Sequence, residues 1–241
     1  MIAGLRRYLH RQQFNPGLLG AFFNPFFLAR RVLWREIEAA SRNLSGDLLD
    51  VGCGTKPYRQ LFGTHAVYVG LDIDSPASRE RGIADALYDG GRFPFESGRF
   101  QAILCNQVLE HVFTPHDFLE ETRRVLSTGG RLLLTVPFVW DEHEQPYDFA
   151  RYSSFGLKSL LEQHGFRIVQ HRKLLADASV LFQLAIAYLF KVTHTRHGAV
   201  NRLVTALVFG PLSLVGLLAG KLLPNNDDLF LDQLVVAEKL S

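Results

Sequence analysis

The sequence predicts an α/β fold in which a mostly parallel sheet carries helices on both faces. Strand-like and helix-like segments alternate through residues 46–139, and this alternation is typical of parallel strands joined by crossover helices. The first strand leads directly into the turn Gly52-Cys53-Gly54. Apolar residues make up 47% of the 241 residues, which is enough for one large buried core.

The elements are predicted in order from residue 46. A helix is expected over 115–126, with Thr114 as N-cap and Pro115 at the first helical position. A second helix over 154–164 is stopped by Gly165. The predicted strands lie at 47–51, 66–71, 83–86, 100–105, 131–136, 166–172 and 230–238.

The chain divides into four predicted segments. They are an N-terminal helical extension (1–45), a core (46–177), an apolar helical insert (178–224) and the final strand of the core (225–241). Within the extension, aromatic residues alternate with arginines, and residues 26–40 suit an amphipathic helix packed on the main domain. For residues 11–25, packing on the domain and contact with a membrane interface stay open.

Composition excludes several classes of protein. The 26 basic and 24 acidic side chains lack the basic excess of a nucleic-acid binder. Two cysteines, Cys53 and Cys105, argue against a secreted disulfide framework. Arg6, Arg7 and Arg11 precede no uninterrupted apolar run, so we expect no export signal and a cytoplasmic protein, peripheral on the inner face of the membrane if the apolar segments bind lipid.

The glycine turn after the first strand predicts a ligand site. Glycines permit a sharp turn and a close approach of ligand to backbone, and ligands of open parallel sheets lie at the carboxyl ends of the strands. Pro57 stands where a dinucleotide-binding loop has its third glycine, which favours a ligand without a pyrophosphate. Asp72, after the second strand, can accept hydrogen bonds from ribose hydroxyls. Asp85 can accept one from an adenine amine, or can cap a turn.

Five ordered segments together resemble the core of class I S-adenosylmethionine (SAM)-dependent methyltransferases of the type 11-like group. Spread over roughly 90 residues, they make a stronger match than any one motif alone. These segments are 47–55 with the glycine turn, 70–74 with its acids, 84–86 together with 93–95, 100–112 and 124–134. Gln101 stands where the family often has Asp, a small departure.

The resemblance implies a seven-stranded Rossmann-like sheet with an antiparallel last strand, SAM as cofactor, and methyl transfer as activity. Glycines 52 and 54 would meet the methionine part of SAM, Asp72 the ribose and Asp85 the adenine. The implied cofactor-binding residues are Asp50, Gly52, Cys53, Gly54, Asp72, Ile73, Asp85, Ala86, Asn106 and Gln107.

The acid-rich loop 141–151 follows the fifth strand. We expect it to line the side of the active site that binds the methyl acceptor. If the acceptor is a hydroxyl, a general base helps, and His143 is the first candidate, with Tyr147 as a pocket wall and His111 nearby. A solvated acidic loop is the alternative. Some relatives hold a divalent metal near residues such as Glu110 and His111, but two ligands are an incomplete site, so no metal is predicted.

The apolar insert leaves the acceptor open. The uncharged runs 178–190 and 203–220 suit either a helix pair in a membrane interface or a cap over the acceptor pocket. The predicted function is SAM-dependent methylation of a lipid-linked, glycan or other amphiphilic acceptor. The alternatives are a soluble small-molecule methyltransferase with a helical lid and a SAM-binding protein without turnover.

Overall fold

The computed structural model of the protein describes residues 12–63 and 67–241. The expectation that the chain carries no export signal depends on residues 1–11, and these lie outside the described residues. The predicted start of the second strand, at residue 66, lies outside them as well.

Seven strands of the described residues form one sheet with the order β3-β2-β1-β4-β5-β7-β6. Strands β1 to β5 pair in parallel. Strand β7 runs antiparallel to β6, because Leu231 N bonds to Leu174 O and Leu240 N bonds to Gly165 O. The predicted fold class and its antiparallel last strand are therefore confirmed. The strands are β1 Leu48–Val51, β2 Tyr68–Ile73, β3 Ala86–Tyr88, β4 Phe100–Asn106, β5 Leu126–Pro137, β6 Phe166–Leu174 and β7 Asp232–Lys239.

The helices follow the predicted pattern with shifted ends. Thr114 occupies the N-cap position of α3 and Pro115 begins the helix, as predicted, although the Thr114 side chain makes no capping hydrogen bond. Helix α6 contains a π-helical turn at Thr205–Phe209. The helices are α1 Phe27–Ser41, α2 Pro76–Arg81, α3 Pro115–Val125, α4 Ser154–Gln163, α5 Ser179–Thr193 and α6 Gly198–Leu222.

The third strand lies later in the chain than predicted. It was expected at 83–86, whereas β3 covers Ala86–Tyr88. Helix α2 runs to Arg81 and ends at Gly82, whose φ of 58° is the left-handed conformation typical of a helix end. The chain therefore joins the sheet only after Asp85, which precedes β3 instead of lying near its end.

The described residues form two compact units. The sheet unit comprises residues 37–138, 142–172 and 233–241, and its core includes Leu49, Ile103, Leu134 and Val235. The helical unit combines the described residues up to 36 with 139–141 and 173–232. Its core consists of Ala21, Phe27, Leu28, Leu175, Val180 and Leu231. The N-terminal segment and the apolar insert thus share one unit.

Candidate functional site

The turn after β1 exposes backbone at the carboxyl edge of the sheet. The amides of Gly52 and Cys53 donate to Leu71 O at 2.8 and 3.0 Å. Gly52 has φ 68°, and a Cβ there would lie 2.3 Å from Val108 Cγ2. Gly54 has φ 49°, and a Cβ there would meet no atom within 4 Å. The backbone at Gly54 is therefore open to a ligand on the side where another residue would carry its side chain.

Asp50 lies buried beneath this turn. The hydroxyl of Tyr68 donates a hydrogen bond to its carboxylate, and burial raises the pKa of Asp50 to about 7 despite that bond. Burial and the charge of Asp50 also raise the pKa of Tyr68. The family resemblance implied that Asp50 is a cofactor-binding residue. The structure adds Tyr68 as its partner, a residue that no motif marked.

Asp85 connects β2 to the segment that follows the glycine turn. It accepts a hydrogen bond from Gly70 N at 2.7 Å and one from Lys56 Nζ at 2.5 Å. A Cβ at Gly70 would lie 2.2 Å from Lys56 Cε, so Gly70 makes room for the lysine. Burial opposes ionisation of Asp85, but the Gly70 amide and the Lys56 ammonium together lower the pKa of its carboxyl. This placement, before β3, does not fit the predicted contact with adenine.

Two other acids lie where β2 and β3 end. Asp72 is 7% exposed; it accepts from Ile73 N at 2.9 Å and from Arg81 Nη2 at 3.0 Å. Asp89 directly follows β3, is exposed, and accepts from Gly91 N at 3.0 Å. No sequence motif singled out Asp89, although it is an acid at the end of a strand at this edge. Its signal was its position as the first acid after β3, which an incorrect strand boundary concealed.

The end of β4 is fixed by its neighbour β5. Thr135 donates to Asn106 Oδ1 at 2.8 Å, and Gln107 N donates to Thr135 O at 3.0 Å. Gln107 has φ 55°, so the chain turns sharply as it leaves the sheet. Both predicted cofactor residues therefore lie at the same edge as the glycine turn.

A cluster of ionisable side chains follows β4. The 3₁₀ turn Leu109–His111 carries Glu110, which is fully buried. His111 Nδ1 lies 2.7 Å from Tyr147 O, and the His111 ring meets that of His143 edge-on with 4.8 Å between centroids. Burial lowers the pKa of His111, and the adjacent His143 adds to this effect.

His143 is positioned by a buried acid. Its Nδ1 lies 3.2 Å from Asp148 Oδ2, and its backbone amide donates to the same oxygen at 2.9 Å. Arg151 binds both carboxylate oxygens of Asp148 at 2.5 and 2.7 Å and holds the pKa of that acid well below its usual range. The structure thus brings His111 and His143 together. Tyr147 is 63% exposed, and its carbonyl oxygen contacts His111 Nδ1.

The carboxyl edge fits an adenosyl ligand. The open backbone at Gly54 follows β1, the buried acid Asp72 lies near the end of β2, and the exposed acid Asp89 follows β3. These three strands are neighbours in the sheet. Acids at these positions can accept hydrogen bonds from ribose hydroxyls and an exocyclic amine. Because such a ligand has no pyrophosphate, it does not require the third glycine of a dinucleotide-binding loop.

Comparison with known proteins identifies the family. A family model described as a methyltransferase domain matches residues 27–171. An uncharacterized protein of Methanocaldococcus jannaschii is 26% identical over 164 residues, which are 61% of this chain and 78% of that protein. The ubiquinone biosynthesis O-methyltransferase of Caulobacter vibrioides is 30% identical over 144 residues, 51% of this chain and 52% of the enzyme. The chain thus spans about half of that enzyme.

Solved structures share the fold at low identity. The [4+2]-cyclase SpnF aligns with a TM-score of 0.57 at 20% identity, covering 88% of this chain and 82% of the cyclase. A SAM-dependent methyltransferase from Mesorhizobium loti aligns with a TM-score of 0.51 at 15% identity, covering 83% and 96%. Because the first of these is named for a cyclisation, the fold alone does not identify the reaction.

Proposed function

This chain belongs to the SAM-dependent methyltransferase family, and from that premise we propose that it methylates a hydroxyl group of an amphiphilic acceptor at a membrane surface. SAM is the methyl donor and supplies an already activated methyl group. We assign SAM binding to Gly52, Gly54, Asp72 and Asp89. The acceptor class is supported by one observation, the exposed apolar surface of α5 and α6.

Helices α5 and α6 leave much apolar surface uncovered. They pack closely, since a Cβ at Gly216 would lie 2.9 Å from Phe182 Cβ, but the most apolar 18-residue window of α6 is only 28% buried, with a mean hydropathy of 2.1. Monomeric soluble proteins rarely expose large contiguous apolar patches. More than half exposed are Leu181, Tyr188, Val192, Leu203, Leu207, Val215, Leu218 and Leu222.

Lengths and connections favour helices that lie in one face of a bilayer. Among the described residues, α6 is long and apolar enough to cross a membrane. The 15 residues of α5 rise only about 22 Å, less than the ~30 Å hydrocarbon core. Leu231 N bonds to Leu174 O at 3.0 Å, so the segment begins and ends at one place and needs two spans to cross. An interfacial position requires none.

Charge supports an anionic membrane as the surface. Residues 178–226 contain four basic side chains and no acidic one. Lys191 makes an ion pair with Asp141 at 2.8 Å, while Arg196 and Arg202 are exposed. Basic residues beside an apolar helix face are attracted to anionic lipid headgroups.

The proposed acceptor-side residues are His143, His111 and Tyr147. A hydroxyl must lose its proton as it is methylated, and a positioned imidazole assists such a transfer. The Asp148 contact to His143 and the O-methyltransferase name of the Caulobacter vibrioides relative support this assignment. His143→Ala should retain SAM binding and slow turnover, whereas Tyr147→Phe should alter turnover much less.

Vesicle flotation tests the membrane surface. The wild-type protein should float with vesicles containing phosphatidylglycerol and less with neutral phosphatidylcholine vesicles. Leu207→Glu with Leu218→Glu should abolish flotation, because both side chains are exposed and the change buries charge in the interface. Phe155→Glu is the matched control, since Phe155 is 83% exposed but lies on α4. Flotation that the double variant retains would refute the proposed surface.

Transfer of radiolabelled methyl from SAM tests the acceptor class. Incubation with fractionated cell extract should place label in the lipid-extractable fraction. Label in a water-soluble small molecule, without flotation, would favour the alternative of a soluble enzyme with a helical lid. SAM binding by calorimetry without S-adenosylhomocysteine production would favour a binding protein without turnover.

A further inference from the structure

Three potential metal ligands converge beside the carboxyl edge. Glu110 and His111 come from the 3₁₀ turn after β4, and His143 comes from the loop after β5. Their ligand atoms all lie within 4.8 Å of one another, and His111 Nε2 is 4.0 Å from Glu110 Oε1. Ligand atoms that share an ion at about 2.1 Å lie roughly 3 to 4 Å apart. Movements of about 1 Å would therefore close the cluster around one ion.

Both histidines already have the outer partners that metal-bound imidazoles use. A ligating histidine almost always donates its other ring N–H to a carbonyl or a carboxylate. His111 faces the Tyr147 carbonyl at 2.7 Å, and His143 faces Asp148, which Arg151 in turn holds through two hydrogen bonds. The Tyr147 carbonyl and the Asp148 carboxylate thus fix the orientation of the two imidazole rings. Three side chains that met by chance would not need such supporting contacts.

From this geometry we infer that Glu110, His111 and His143 form a binding site for a transition-metal dication, with Zn²⁺ as the fitting ion. Two imidazoles with one carboxylate suit Zn²⁺, whereas Mg²⁺ and Ca²⁺ prefer oxygen ligands. Three protein ligands leave a position open, as in catalytic zinc sites. The use of that position for an acceptor oxygen rests on the proposed function, but binding of the ion does not.

The proposed site differs from the sequence-based expectation of no metal. That expectation rested on Glu110 and His111 alone, and two ligands are an incomplete site. The third ligand belongs to a different loop, and only the folded chain brings it to Glu110 and His111. If the ion binds, His143 acts as a ligand, and its predicted role as direct general base no longer holds.

Calorimetric titration of the chelator-treated protein with ZnSO₄ tests the inference, together with metal analysis after gel filtration. The wild type should bind about one ion per chain. Glu110→Gln and His143→Ala should each weaken binding by more than about 100-fold, and Asp148→Asn, which acts through His143, by about 10-fold to 100-fold. Glu110→Gln preserves side-chain volume, so it remains informative if His143→Ala folds poorly.

A second imidazole pair provides the control. His116 Nδ1 and His164 Nε2 lie 3.3 Å apart on the surface, so His116→Ala removes one imidazole of an exposed pair without touching the cluster. It should leave the titration unchanged. A wild type that binds no Zn²⁺, or binding lost in His116→Ala instead of Glu110→Gln, would overturn the inference. SAM titration of each variant verifies folding, and failure of the wild type to bind SAM would count against the proposed function alone.

Discussion

The carboxylic acid buried under the glycine turn makes the stability of the SAM-free protein depend on pH. Burial raises the pKa of Asp50 from 3.8 to about 7, so between these pH values the folded state holds a proton that the unfolded state releases. The free energy of unfolding therefore falls as pH rises from about 4 to about 7. Each pH unit in this window costs the folded protein about 1.4 kcal/mol.

Asp50→Asn removes this dependence. As pH rises from about 5.5 to about 7.5, titration of the Asp50 carboxyl should lower the free energy of unfolding of the wild type by about 2 kcal/mol. The amide of Asp50→Asn does not titrate and should contribute no such change. Urea unfolding of both proteins at the two pH values, without SAM, gives the difference between them. Because other ionisable groups contribute equally to both proteins, this difference isolates Asp50.

The exposed residue Glu120 on α3 provides the control, because Glu120→Gln should keep the wild-type pH dependence. If Asp50→Asn and the wild type lose stability in parallel over this range, the carboxyl is not protonated in the folded protein. The reasoning from its burial would then be refuted.

Three further substitutions examine the cofactor edge. Asp72→Ala should weaken SAM binding in calorimetry by about 100-fold or more, since a buried acceptor for two hydroxyls is lost, while Asp74→Ala should bind normally; equal affinities would refute the ribose assignment. Gly52→Ala should lower the free energy of unfolding by about 1 to 3 kcal/mol, because φ is positive and Val108 is too close; unchanged urea midpoints would contradict this. Asp89→Ala should weaken SAM binding by roughly tenfold, and an unchanged Kd would remove Asp89 from the adenine side.

The sequence predicted the order of strands and helices because local patterns determine it. A buried apolar run followed by Gly-x-Gly is visible without any tertiary information, and so are Pro115 at a helix start and Gly165 after a helix end. The boundary of β3 was wrong because three residues of weak strand pattern gave no local signal. Its start depends on Asp85 binding Lys56 and Gly70, and these are tertiary contacts.

The sequence indicated which residues belong to the site but not which of their side chains contact each other. His111 and His143 were both singled out, since each follows a strand whose end faces the ligand edge. Their edge-on contact depends on the path of the loop after β5, where Arg151 fixes Asp148 and Asp148 fixes His143. A chain of three side-chain contacts has no periodicity, and sequence patterns therefore do not reveal it.

The backbone bond between Leu231 and Leu174 also allows β6 and β7 to be connected directly by design. Antiparallel neighbours in a ladder can be joined by a two-residue hairpin turn. Replacement of residues 175–230 by Asn-Gly would fuse β6 directly to β7, and comparison of this shortened protein with the full chain would reveal how much of SAM recognition the sheet unit achieves by itself.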